Sequence, residues 1–146
     1  MDFSSINYWG VLVAAITGYA VGAVYYMVLG KPWMKAARLD PAAMKMRISP
    51  FVISFLAELV MALVLSIVLD DITFAGTFSE EFDMLSSVTW SVILWAGLVA
   101  TILTVNHRYQ GHSWALTVID AGHWLLVLVV MAAVLGWFGP ADVGLG

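Results

Sequence analysis

Glu58, Asp120 and His123 stand inside otherwise apolar stretches of this 146-residue chain. Ionisable side chains are costly in hydrocarbon, so those that are retained usually face protein and pair with one another. Asp120 and His123 are spaced i,i+3, which puts them on one face of a helix. A neutral Glu58 could donate a hydrogen bond to Asp120 or to a tyrosine. Alternatively His123 takes the proton and the group holds one ion pair. Proton relays and solute sites are built from such coupled groups, and so are static networks that fix how membrane helices pair.

The elements that would position these residues follow from composition. The chain is 62% hydrophobic and 11% charged, whereas a soluble domain runs near half apolar and about a quarter charged. This excludes an ordinary soluble globule and a disordered chain. About 20 apolar residues cross a bilayer, and four such segments are present, over about 8–29, 50–69, 87–105 and 114–138. The expected fold is an all-α integral membrane protein, a compact bundle of four transmembrane helices forming one domain over 1–146. At 1.5 Å rise per residue, Glu58 lies roughly 12 Å into the second span, and Asp120 and His123 lie roughly 9 and 13 Å into the fourth. We therefore expect one intramembrane polar layer of Glu58, Asp120 and His123, joined by Tyr25, Tyr26 and Thr101.

Charge sets the expected orientation. Lys31, Lys35, Arg38, Lys45 and Arg47 follow the first span, and Arg108 lies between the third and fourth. With four spans all six basic residues share one side, which the positive-inside rule makes cytoplasmic. Both termini then face the outer, periplasmic side, with an acidic loop over 70–86 that carries no cation. The tail before Tyr8 lacks the positive residues of a cleavable leader, so the first span is expected to stay as a helix. Trp9, Trp90 and Trp137 fall at the outer boundary, and Trp33, Tyr109 and Trp114 at the inner one, as interfacial belts require. Trp33, Lys31, Lys35, Arg38 and Trp114 are the expected lipid-interface residues. The stretch between Lys31 and Ser49 reads either as a short interfacial helix on anionic headgroups or as a solvated loop that sets topology. Asp40–Pro41 and Ser49–Pro50 read as helix caps, and Thr77–Glu80 as a capping box.

Small residues mark packing faces: Ala14, Gly18 and Gly22 on the first span, and Ala96, Ala100 and Thr104 on the third. Phe74, Phe78 and Phe82 recur in the outer loop, where they would rest on the bilayer or cap the bundle. His107 and His112 flank Gly111 and read as plain polar loop residues, because a metal site needs three or four converging ligands. No phosphate loop, His-Glu-x-x-His motif or nucleophile elbow occurs, so we expect no catalytic residue, metal or cofactor. No basic stripe suits nucleic acid. With no cysteine, there is no disulfide or thiolate. No internal repeat of the kind seen in many transporters is evident.

Asn7–Tyr8, Gly22, Tyr25–Tyr26, Gly30–Lys31–Pro32–Trp33, Trp95–Ala96–Gly97 with Thr101, Asn106 and Asp120–Ala121–Gly122 form a further pattern. Together they resemble the bacterial membrane-protein family filed as domain of unknown function 1761, over nearly the whole chain. The resemblance implies a four-helix protein of the bacterial inner membrane and carries no established activity. Where that pattern would place Asn before Ala-Gly and an aromatic after it, this chain has Asp120 and His123.

The expected role is a structural or accessory subunit, or a self-associating bundle, whose partners are the lipid bilayer and itself or another membrane protein. The alternative is a proton-linked carrier of a small solute or ion that uses the Glu/Asp/His layer.

Overall fold

A computed structural model describes residues 5–40, 47–74 and 82–141. The helices are α1 (Tyr8–Ala37), α2 (Ser49–Phe74), α3 (Met84–Leu94), α4 (Ala100–Tyr109) and α5 (Trp114–Phe138). A π-helical turn over Trp95–Val99 joins α3 to α4, so Met84–Tyr109 forms one rod. Four helical rods are therefore long and apolar enough to cross a membrane. Lipid offers no hydrogen bonds, and helices answer this by closing backbone bonds internally.

Local signals set the ends. The Asn7 side chain caps α1 by accepting from Gly10 N at 3.0 Å. Asp83 caps α3, accepting from Ser86 N at 2.6 Å. Ser113 caps α5, accepting from Leu116 N at 3.2 Å. α5 stops at Gly139, whose φ of 65° suits glycine and whose N–H bonds Leu135 O at 2.9 Å.

α1 runs past the expected end at Leu29, through Pro32, to a left-handed cap at Arg38. The segment after Lys31 therefore begins as helix and not as loop. Trp33, Lys35, Ala36 and Ala37 follow Pro32 without a further breaker, and the Arg38 and Leu39 N–H groups close on Lys35 O and Met34 O at 3.2 and 3.0 Å. The rest of the 31–49 stretch, including the Asp40–Pro41 cap, falls partly on residues outside those described, as does the Thr77–Glu80 box. The third rod begins at Met84 and continues to Tyr109, so His107 is a helical residue and not a loop residue.

α1 and α5 form the central pair. α2 lies against α1 and α3 against α5, while α2 meets α3 and α5 more lightly. Ala14, Ala15, Ala62, Val127, Met131 and Ala132 are fully buried between them. Small side chains dominate because helix axes in lipid gain their attraction from close van der Waals approach. Backbone meets backbone at Gly136, where an added Cβ would sit 2.6 Å from Met84 Cα and 2.8 Å from Asp83 O.

The ends of the bundle differ in charge. Ala141 N donates to Ser5 O at 2.8 Å, and Ser5 Oγ donates to Asp70 Oδ2 at 2.8 Å. Both described ends of the chain thus meet beside Asp70, Asp71 and Asp83. The opposite end carries Lys31, Lys35, Arg38, Arg47 and Arg108, and there Ser113 Oγ donates to Ala36 O at 3.1 Å. Trp9 and Trp137 are exposed at the acidic end, and Tyr109 and Trp114 at the basic end. Phe82 packs against the core, whereas the Phe74 and Phe78 side chains lie outside the described residues.

Candidate functional site

The polar residues of the interior are gathered by α1. On one face of α1, Gly18, Gly22 and Tyr26 follow one another at intervals of four residues, and Trp33 continues that face. Each position meets one of the intramembrane ionisable residues. A Cβ on Gly18 would lie 3.2 Å from Glu58 Oε2, and one on Gly22 would lie 2.7 Å from His123 Nε2. Tyr26 donates its hydroxyl proton to Asp120 Oδ1 at 2.9 Å. The three residues expected to form one layer are therefore strung along α1 as a ladder. From Gly18 to Tyr26 it spans roughly 12 Å.

Asp120 is the most heavily bonded of the three. Its Oδ1 also accepts from Trp33 Nε1 at 2.9 Å, and His107 Nε2 stands 3.6 Å from Oδ2. Behind His107, its Nδ1 lies 3.1 Å from Thr117 Oγ1, which receives a hydrogen bond from Arg108 at 2.9 Å. One arrangement satisfies these contacts together. Arg108 donates to Thr117, the Thr117 hydroxyl donates to His107 Nδ1, and Nε2–H faces Asp120. The longer contact from Thr117 Oγ1 to Ser113 O, 3.4 Å, is then the weaker alternative. Arg108 is held over the Trp114 ring at 4.0 Å. Asp120 thereby ties the end of α1 to α4 and α5 at the basic end.

His123 is buried beside this network. Its ring lies 4.6 Å from that of Tyr26 and 4.8 Å from that of Trp124, and its Nδ1 has no hydrogen-bond partner. Glu58 is 4% exposed, and its Oε2 also has no partner. Tyr25 donates to Ile119 O at 2.9 Å, and its ring packs edge-on against that of His123 at 5.5 Å.

Thr101 does not join this group. It is exposed, and its hydroxyl bonds Gly97 O at 2.8 Å and Leu98 O at 2.9 Å of its own rod. A lone threonine in lipid satisfies itself by bonding back along its helix. Trp33, expected only as an interface anchor, instead turns its indole N–H inward to Asp120. Lys31, Lys35, Arg38 and Trp114 are exposed at the basic end. Ala14, Gly18 and Gly22 face the interior, whereas Ala96 is exposed and Ala100 half-buried on the outer rod.

Sequence reasoning passed over Thr117, read His107 only as a loop residue and Arg108 only as a topology-setting cation, and gave no bonding role to Trp95, whose indole N–H donates to Ala121 O at 2.8 Å. A usable signal existed for the first three. α4 and α5 form an antiparallel hairpin about the turn at His112, so residues equally far from His112, such as His107 and Thr117, oppose each other. Thr117 and Asp120 then share a face at i,i+3. Among the described residues, no three of His, Cys, Asp and Glu converge as metal ligands.

Two donors from α1 share one acceptor oxygen, and this fixes the expected mutant energies. Trp33→Phe and Tyr26→Phe should each lower stability by about 1 kcal/mol, the scale of interhelical hydrogen bonds in membranes. Asp120→Ala should cost at least their sum, because three donors lose one acceptor. Unfolding in mixed detergent micelles measures all three, and a neutral Asp120→Ala would mean that the network carries no stability.

In comparisons with known proteins, no curated protein and no solved structure matches. The family model described as Protein of unknown function (DUF1761) matches residues 9–136. That match takes in all four rods but the ends of the first, α1, and the last, α5, and with it the ladder from Glu58 to Asp120: the chain belongs to this family.

Proposed function

We propose that this protein is a non-catalytic, accessory or self-associating helix bundle of the bacterial inner membrane, and that it works by lateral contact through the rod formed by α3, the π turn and α4. The observation that supports this reading is how little that rod is covered. In its most apolar stretch 6% of the residues are buried, against 28%, 28% and 33% in the other three rods. Its outward side offers Ala96, Gly97 and Thr101, and a Cβ on Gly97 would meet nothing within 4 Å. Small residues on a lipid-facing side let a second helix approach closely. The π turn that carries Gly97 departs from regular helix, a feature that recurs at functional positions. Native mass measurement after gentle extraction should find a discrete larger assembly. Ala96→Leu combined with Gly97→Leu should reduce it to the monomer without lowering the melting temperature of the bundle. A monodisperse wild-type monomer under every mild condition overturns the reading.

The second reading, proton-linked movement of a small solute or ion, draws support from Glu58 Oε2 and His123 Nδ1, buried atoms without partners on consecutive rungs of the ladder. On this reading, flux in proteoliposomes falls to background when Glu58→Gln and Asp120→Asn are combined, and flux that survives both changes excludes it.

The positive-inside preference assigns the basic end to the cytoplasm and both termini to the periplasm. The chain has no cysteine, so single-cysteine reporters test this cleanly. Gln110→Cys should react with an impermeant maleimide only after the membrane is opened, and Ser5→Cys should react in intact cells. The reverse pattern inverts the assignment.

A further inference from the structure

A flank of α1 beside the ladder is open. There, Thr17, Val21, Val24, Tyr25 and Val28 of α1 and Leu126 of α5 line a groove of about 470 Å³. It runs from Thr17 to Leu29, roughly 18 Å along the helix, while one leaflet of hydrocarbon is about 15 Å deep, half of about 30 Å. The groove offers no free polar atom: Thr17 Oγ1 is bonded to Val13 O at 2.7 Å and the Tyr25 hydroxyl to Ile119 O at 2.9 Å. Its occupant must therefore be apolar over the depth of one leaflet.

The same stripe of α1 says what lies at the head of that occupant. Thr17, Val21, Val24 and Val28 are spaced four, three and four residues apart, so they stay on one side of the helix. Continuing the alternation by three and four reaches Lys31 and Lys35, both still within α1 and both exposed. Among the described residues neither lysine has an acidic partner. An apolar groove of single-leaflet length therefore leads to two unneutralised ammonium groups. The same face has a second depression of about 270 Å³ toward the acidic end, lined by Val13, Val130, Val134 and Trp137, with no cation among its lining residues. A partner helix would cover both depressions and cross both leaflets, whereas the charge marks only one of them.

We propose that this groove binds one anionic phospholipid, with an acyl chain along α1 and the phosphate against Lys31 and Lys35. Each lysine near a negative headgroup contributes about fivefold to binding, roughly 30-fold for the pair.

The test is native mass spectrometry of the full chain in detergent, titrated with phosphatidylglycerol and phosphatidylcholine of identical acyl chains. Phosphatidylglycerol should be retained roughly 30-fold more tightly. Lys31→Gln with Lys35→Gln should bring the two lipids to near parity while the chain melts as before. Ala20 also lines the groove, and Ala20→Leu, which narrows it and leaves both lysines in place, should weaken retention of both lipids. Equal retention by the wild type, a preference that survives the double glutamine variant, or full retention by Ala20→Leu would each overturn the proposal. Displacement of the lipid by inorganic phosphate at matched concentration would overturn it too, because it would assign the lysines to a free anion.

Discussion

The contact between α1 and α5 is the constraint from which the rest of the bundle follows. Hydrophobic burial cannot drive helices together in lipid, since tails are as apolar as leucine, so attraction has to come from close packing and interhelical hydrogen bonds. Both are concentrated on this pair. Ala14 and Ala15 are fully buried against Met131 and its neighbours. Gly18 and Gly22 carry no Cβ where Met131 Cε and His123 Nε2 come to within 2.5 and 2.7 Å of the Cβ position. Because α1 has no side chain at those two positions, it can also receive polar groups from its neighbours, Glu58 from α2 and His123 from α5. The packing stripe and the polar ladder are thus the same stripe of α1.

At the basic end the pairing changes character from van der Waals to hydrogen bonding. Beyond Gly22 the face of α1 widens to Tyr26 and Trp33, and both donate to Asp120 Oδ1. That shared acceptor explains why α1 continues as helix past Pro32, which removes one backbone donor and would otherwise favour a break. Trp33 has to stay in helical register with Tyr26 for two donors to meet one oxygen. Ser113 adds a second tie a turn further on, through Ala36 O. Asp120 receives a third partner from α4 through His107, so the α4–α5 hairpin is closed by the residue that holds α1.

Much of this was legible in the sequence and some was not, for a definite reason. Depth along a helix can be read by counting residues, and facing cannot be read when a helix is apolar all round. The four apolar runs follow from composition. Counting also placed Glu58 and Asp120 at similar depth, but it said nothing about rotation or offset, and α2 packs with Glu58 at Gly18, two turns of α1 away from Asp120. Thr101 fails in the same way: it lies near the right level but points to lipid. The histidine at 107 was hidden by its closeness to a turn, since a helix that runs to the turn and a loop that starts early have the same composition. Trp33 was hidden by its type, because tryptophan at a membrane boundary serves an interfacial belt as readily as an inward hydrogen bond.

The two faces of α1 then divide the labour of the molecule. The inward face changes along its length from alanine and glycine to tyrosine and tryptophan, and it meets polar residues of rising bond number, from Glu58 with a free oxygen to Asp120 with three partners. The outward face changes from threonine and valine to lysine, and along its apolar part it borders an open groove that Leu126 of α5 helps to line. A helix built only to span would need neither progression, since any apolar residue satisfies lipid equally well. Both progressions turn polar toward the same end, where every basic residue described is also found. The acidic end has no counterpart: its described carboxylates, Asp70, Asp71 and Asp83, sit at helix ends and caps and leave the interior there to Leu69, Leu135 and Ala132. The bundle is therefore asymmetric across the membrane. The half toward the acidic end is a packed apolar clamp, and the half toward the basic end holds the buried polar network around Asp120 and the exposed lysines.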